Sequence, residues 1–252
     1  MSPRIRAEAA AGFSAGTEAY ERGRPSYPRE AVDLIVRELG LGAGKTVVDL
    51  AAGTGKFTRL LVPTGARVVA VEPVAEMRDA LARAVPDLDI FDGTSDAMPL
   101  SDGFSDALTV AQAFHWFDPQ PSLLEIGRVL KPGGGFAFLW NRRDESVPWV
   151  RQMSDVLHWR DRPYANYDRV DWAAVVAESG LFTDVQRGMF SFDHEVDRDG
   201  LADRVRSISY IAAMGEAERE DLVQQVLQLV ADKPERFALP YNTLVFWCSK
   251  RS

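Results

Sequence analysis

One cysteine, Cys248, occurs in 252 residues, which excludes an internal disulfide and a cysteine-rich metal site. Long apolar runs are missing too: no stretch of ~20 apolar residues occurs, so no membrane span is expected. Basic clusters are scarce. The adjacent basic pairs are only Arg142-Arg143 and Lys250-Arg251, in a chain with 29 Lys+Arg against 37 Asp+Glu and a net charge of -8. A nucleic-acid partner is therefore not expected, because phosphate binding needs clustered cations. The opening MSPRIRAEAAAGFSAG has no apolar core, so a secretory signal is not expected and the chain reads as cytoplasmic. The three histidines, His115, His158 and His194, do not stand at metal-ligand spacing with Asp49, Glu72 or Asp96, and no metal is expected.

What is present is ordinary globular material, 46% hydrophobic and 26% charged, with enough apolar surface to offset chain entropy. No internal repeat is visible. Strand and helix signals alternate through the first two thirds, the pattern of a parallel sheet wrapped by helices. Short β-branched runs read as buried strands at Thr46 to Leu50, Val68 to Val71, Leu88 to Phe91, Ala107 to Ala111 and Gly135 to Trp140. Helical spacing places Val32, Ile35, Val36 and Leu39 on one face, and Leu123, Ile126 and Leu130 on another. Lys131-Pro132-Gly133-Gly134 reads as the stop of that second helix. Later, Val185 to Phe192 and Thr243 to Cys248 read as strands and Glu216 to Ala231 as a helix, with Leu222, Val226, Leu229 and Val230 inward. The expected fold is α/β, a doubly wound, Rossmann-like seven-stranded sheet, mostly parallel with an antiparallel edge strand. Residues 1–30 are expected to form a lid. Residues 31–252 are expected to form one domain with a substrate cap at about 144–172.

The most informative segment is Val47-Val48-Asp49-Leu50-Ala51-Ala52-Gly53-Thr54-Gly55. A strand enters a Gly-x-Gly turn, and Lys56 to Leu61 reads as the following helix. Glycine lets a ligand approach the backbone without a Cβ in the way. The second strand ends at Glu72, where a carboxylate can accept hydrogen bonds from both ribose hydroxyls of a nucleoside. Two ligand classes compete. A nicotinamide dinucleotide prefers a third glycine at position 58, which is Thr58. Asp49 adds a carboxylate with no role on a pyrophosphate, whereas a cationic nucleoside such as S-adenosylmethionine gives it one.

On these residues the chain resembles the class I S-adenosylmethionine-dependent methyltransferases. Asp49-x-Ala51-x-Gly53-x-Gly55 is similar to the first motif of that family, and Glu72 to its ribose-binding acid. Gly93-Thr94-Ser95-Asp96-Ala97-Met98-Pro99-Leu100 resembles the loop bordering the adenine, with Thr94 where many members have Asp. Leu130-Lys131-Pro132-Gly133-Gly134 resembles the turn before strand five. Phe13-Ser14, Tyr20-Glu21-Arg22-Gly23-Arg24-Pro25-Ser26-Tyr27-Pro28 and Gln112-Ala113-Phe114-His115-Trp116-Phe117 resemble small-molecule enzymes of the methyltransferase-11 type, relatives of the fungal trans-aconitate methyltransferases. The resemblance implies S-adenosylmethionine as cofactor, S-adenosylhomocysteine as product and a small-molecule acceptor. It implies cofactor contacts at Tyr20, Arg24, Asp49, Ala51, Gly53, Gly55, Glu72, Pro73, Met77, Thr94, Ser95, Asp96 and Gln112.

Methyl transfer from a sulfonium is an in-line displacement in which the protein aligns the partners and excludes water. A base is needed only where the acceptor must lose a proton. His115, after strand four, is the candidate, either as that base or as a group that orients the substrate. Tyr27, Phe114, Trp116, Trp140 and Arg142 are candidate substrate contacts, since aromatic walls and a guanidinium suit an apolar or carboxylate-bearing molecule. Their competing assignments are core packing for the rings and surface charge for Arg142. A chain that binds the cofactor without methylating carries the same motifs, so that alternative stays open, as does a nicotinamide-dependent oxidoreductase.

Overall fold

The computed structural model describes residues 23–159 and 170–252. The strands are β1 (Thr46–Leu50), β2 (Arg67–Val71), β3 (Asp89–Phe91), β4 (Ser105–Ala111), β5 (Leu130–Arg143), β6 (Gln186–Val196) and β7 (Phe237–Ser249). They form one seven-stranded sheet in the order β3-β2-β1-β4-β5-β7-β6. The sheet is mostly parallel with an antiparallel pair at one edge, as expected from sequence. Strand order reverses between β1 and β4, which makes the carboxyl edge there the topological switch point, the place where open α/β sheets bind ligands.

The described chain falls into two compact units. The first comprises Ser26–Trp140, Asp171–Phe190 and Thr243–Ser252. It contains β1 to β4, parts of β5 to β7, and helices α1 (Arg29–Glu38), α2 (Thr58–Leu61), α3 (Ala75–Ala84) and α4 (Pro119–Val129). One core cluster in it joins Val32, Leu34, Ile35 and Leu39 of the α1 region to Val47, Val68, Ala107, Ala137 and Val245 of the strands. The apolar stripe of α1 is buried because it has no other surface to cover, each large side chain contributing ~1.5–3 kcal/mol when removed from water.

The second unit holds, among the described residues, 23–25, 141–159, 170 and 191–242. Its helices are α5 (Pro148–Val156), α7 (Arg198–Arg206), α8 (Ser209–Ala212) and α9 (Glu216–Gln228), while α6 (Trp172–Glu178) belongs to the first unit. Val150, Met153, Leu201, Val205, Val223, Val226 and Tyr241 meet in its core. Of the described residues read as a cap, 144–159 and 170 share a unit with 191–242, whereas Asp171 and Trp172 fall in the first unit.

Several boundaries differ from the sequence reading. Helix α2 starts at Thr58 rather than Lys56, because residues 51–57 are spent on the glycine turn. It passes into a 3-10 turn at Val62–Thr64 and ends at Gly65. Lys131-Pro132-Gly133-Gly134 does not cap the preceding helix. The helix ends at Val129, and these four residues form a bulge in β5, where Ser105 pairs with Leu130 but Ala107 already pairs with Gly135. Lys131 then ion-pairs with Asp106 at 2.8 Å. Helix α9 ends at Gln228, since Leu229 and Val230 already bond three residues back, to Val226 and Leu227. Its buried positions are Val223 and Val226; beyond its end Val230 is buried too, whereas Leu222 and Leu229 are half-buried.

Candidate functional site

The site is built on the carboxyl ends of β1, β2 and β4, all in the first unit. The chain leaves β1 through Ala51 at φ 56°, Gly53 at φ 58° and Gly55 at φ 85°, all left-handed. It leaves β4 through Gln112 at φ 62°. Left-handed backbone costs a non-glycine residue roughly 1–2 kcal/mol, and such residues persist where surrounding bonds fix them, often at functional sites. Here the fixing bonds are visible: the Ala51 amide donates to Val71 O at 2.7 Å, and the Gln112 amide to Leu139 O at 2.8 Å. Two strained non-glycine residues therefore end the two strands that flank the switch point.

The two glycines differ in kind. A Cβ on Gly53 would meet open space, whereas one on Gly55 would collide with Leu81 Cδ1. Gly55 is required by packing against α3. Gly53 lines an open approach to the backbone, which fits a ligand seated against it.

Glu72, at the end of β2, is 5% exposed. Its Oε2 accepts the Gly53 amide at 2.9 Å and its Oε1 accepts the Val74 amide at 2.9 Å. Burial raises its carboxyl above the ordinary range, and the two amide bonds oppose that shift. Each oxygen keeps a lone pair beyond the bond it already accepts, so the fixed carboxylate can still take two ribose hydroxyls. Arg78 of α3 donates to Glu72 O at 2.8 Å and pairs with Asp92 beyond β3, bracing this edge.

Asp49 is held by side chains on both of its oxygens. It is 0% exposed, with Oδ2 accepting Thr58 Oγ1 at 2.6 Å and Oδ1 accepting Thr109 Oγ1 at 3.1 Å. Register explains the second bond, because Asp49 stands opposite Thr109 in the β1–β4 pairing. Burial pushes its carboxyl up to about 6, against the two hydroxyl bonds that lower it. Asp49 thus ties β1 to β4 and to the start of α2. Thr58 and Thr109 as its holders were not identified from sequence. A Thr nine residues after a strand-end Asp is the only signal available.

The Thr94–Ala97 segment closes on itself through paired backbone bonds, Thr94 N to Ala97 O at 3.1 Å and the reverse at 3.2 Å. Ser95 Oγ accepts from Ser122 Oγ at 2.8 Å, while the Asp96 side is exposed. Arg128 on α4 holds the following loop, donating to Glu125, to Leu100 O and to Met98 O, and pairing with Asp102 at 2.8 Å. Sequence reasoning missed this hub. Pro73 is exposed, and Met77 is 2% exposed, packed inside α3.

Tyr27 packs edge-on against Phe57 of the glycine turn, ring centres 5.1 Å apart. Phe114 and Trp140 are each 1% exposed. Phe114 packs on Phe138 and Trp172, and Trp140 on Trp172 and Phe246. Of their two possible roles the structure gives these rings core packing. Trp116 and His115 are half-buried in a 3-10 turn, Phe114–Trp116, directly after β4. The His115 Nδ1 accepts the Trp140 indole N–H at 3.1 Å. Arg24 and Arg142 belong to the second unit, where Arg24 donates to Ser207 O at 2.9 Å. Tyr20 lies outside the described residues. Among the described residues, no three His, Cys, Asp or Glu side chains group to hold a metal, and no helix is long and apolar enough to cross a membrane.

A family model described as a methyltransferase domain matches residues 48–138, the span from β1 into β5. An uncharacterized methyltransferase of Mycobacterium tuberculosis is 40% identical over 237 residues, covering 92% of this chain and 93% of the relative. The chain belongs to the class I methyltransferases. The methyltransferase fold is shared with the structure of a putative type II methyltransferase from Anaeromyxobacter dehalogenans, at a TM-score of 0.67 and 23% identity over 90% of this chain and 97% of that one. It is also shared with Haemonchus contortus phosphoethanolamine N-methyltransferase 2, solved in complex with S-adenosyl-L-methionine, at a TM-score of 0.55 and 16% identity over 96% of this chain and 57% of that one. The matched span contains Asp49, Gly53, Gly55, Glu72, the Thr94–Ala97 turn and Gln112, which are the features that this methyltransferase brings to one edge of its sheet.

Proposed function

We propose that the protein is an S-adenosylmethionine-dependent methyltransferase acting on a small-molecule acceptor in the cytoplasm. The observation that carries this reading is Glu72, a buried carboxylate clamped by the Gly53 and Val74 amides beside an open glycine turn. Such a group suits a ribose diol, and a cofactor without phosphates needs no basic cradle. S-adenosylmethionine, when bound, supplies an activated methyl group on a sulfonium. Glu72 would hold the ribose, the backbone at Ala51 and Gly53 would accommodate the methionine part, and the Thr94–Asp96 turn would border the adenine. Gln112, pinned in a left-handed conformation after β4, would present its side chain at the same edge. The lid role of residues 1–30 and cofactor contacts from Tyr20 and Arg24 belong to this proposal.

Thr58 disfavours a nicotinamide dinucleotide. The position where that cofactor wants glycine holds a threonine whose hydroxyl is committed to Asp49 at 2.6 Å. Incubation with methyl-labelled cofactor and a panel of small carboxylates, phenols and amines tests transfer. Label on a small molecule supports the reading. Binding of the cofactor with no transfer to any acceptor points to a protein that keeps it without methylating.

A further inference from the structure

We propose that the second unit carries a carboxylate-binding site of its own, built on the guanidinium of Arg204 and the hydroxyl of Tyr241. It uses none of the residues assigned to the cofactor and stands whatever they bind.

Arg204 stands on α7 and is 7% exposed. Its Nε donates to the Tyr241 hydroxyl oxygen at 2.8 Å and its Nη1 to Ser207 Oγ at 3.4 Å. Both partners are neutral. Among the described residues no carboxylate pairs with Arg204. The contrast with Arg206, two positions on, is direct. The Arg206 side chain is 35% exposed, yet it pairs with Glu220 at 2.6 Å and with Asp203 at 3.4 Å. The open cation has two counter-ions and the buried one has none. A buried charge is costly unless an opposite charge and hydrogen bonds meet it. An anion from outside the chain meets both needs.

The planar guanidinium fixes where its donors point. The Nε–H and one Nη2–H leave by the same edge, and the Tyr241 bond locates that edge. Nη2 therefore stands beside the Tyr241 hydroxyl. It bonds to none of the described residues and is not sealed from solvent. Tyr241 is held in place: it is 1% exposed and its ring stacks on Phe192, centres 5.7 Å apart. Its oxygen accepts the Nε–H, and its own proton has no acceptor among the described residues. On the other side Ser207 Oγ donates to Arg204 O at 2.8 Å and braces the end of α7. An oxygen seated on this edge takes the Nη2 proton and the phenol proton together. A carboxylate offers that oxygen and one negative charge, which matches the single guanidinium. An amide or alcohol offers the oxygen without the charge.

The test is calorimetric titration of the full chain, at constant ionic strength, with benzoate, succinate and citrate. Benzamide is the uncharged control and inorganic phosphate the competing anion. The expected result is saturable binding of at least one carboxylate and none of benzamide. R204M keeps much of the side-chain volume without the charge and is expected to weaken that carboxylate at least ~10-fold. Y241F keeps the stacked ring, removes only the phenol group and is expected to weaken it in the same direction. Native affinity in folded R204M overturns the proposal. So does the failure of every carboxylate to bind, or phosphate binding more tightly than all of them. Should R204M fail to fold, Y241F carries the test, and native affinity in Y241F overturns the proposal. No cofactor enters these titrations, so their failure is distinguishable from failure of the methyltransferase reading.

Discussion

The amide of Gly53 donates to Glu72 Oε2 at 2.9 Å, joining the turn after β1 to the first side chain beyond β2. One bond therefore sets both halves of the candidate cofactor site. The glycine turn keeps its left-handed backbone, and the carboxylate is aimed by the same contact. Because Glu72 also accepts from Val74 at 2.9 Å, it cannot rotate without leaving an amide unsatisfied.

Replacing Glu72 by Gln removes the charge and leaves one carbonyl oxygen for two amides. Affinity for S-adenosylhomocysteine is expected to fall by ~10- to 100-fold, since a hydrogen bond to a charged group contributes about 1.5–3 kcal/mol. Calorimetric titration measures this, and a melting curve shows the accompanying loss of stability. Unchanged affinity would remove Glu72 from the ribose role.

Asp49 predicts a pH signature. Its folded pKa of about 6 lies above the ordinary 3.8 because burial disfavours the charge. A carboxyl with a raised folded pKa binds its proton more tightly in the native state. Its favourable contribution is present below about 3.8 and is lost as pH rises to about 6. D49N, which carries no charge, is therefore expected to gain stability relative to the native chain between those values and to hold that gain above them. The gain is on the order of 3 kcal/mol. Denaturant unfolding of both proteins from acid to neutral pH checks it, and a difference that shrinks as pH rises contradicts it.

The two glycines separate binding from folding. At Gly53 an added methyl enters open space. G53A is expected to lose cofactor affinity by ~10-fold or more while losing only the ~1–2 kcal/mol of left-handed strain. At Gly55 the methyl strikes Leu81, so G55A is expected to lose stability first, by ~1–3 kcal/mol of overpacking added to strain. Paired melting and titration of the two variants resolve the contrast. Equal behaviour of the pair would contradict it.

Arg128 holds the loop after the Thr94–Ala97 turn through Glu125, Asp102 and the carbonyls of Met98 and Leu100. A lysine retains charge but not the planar fork that reaches several acceptors at once. R128K is expected to cost ~1–2 kcal/mol and to speed hydrogen exchange at the Met98 amide, which donates to Glu125 at 2.7 Å. Exchange at native rates in R128K would show that the loop does not depend on the fork.

The central strands were legible because they are buried on both faces, so Thr46–Leu50 and Ala107–Ala111 appear as near-continuous apolar runs. The parts that were not legible share a cause. Lys131 to Gly134 carries the residues of a helix stop, yet tertiary pairing of Gly134 with Lys250 draws it into β5 as a bulge. At the site, the acids and glycines stood out by type and spacing. What each does could not be read, because the distinction between a ligand contact and a brace depends on burial. Asp49 and Glu72 are alike in sequence, but one faces two threonine hydroxyls and the other two backbone amides. Phe114 and Trp140 stood out as aromatic and turned out to be packed on all sides.

The most direct test of the account is calorimetric titration of the full chain with S-adenosylhomocysteine and, separately, with NAD. The account predicts one site per chain for S-adenosylhomocysteine, in the micromolar range or tighter, weakened in E72Q, and no heat with NAD. Absence of S-adenosylhomocysteine binding, with or without binding of NAD, would contradict it.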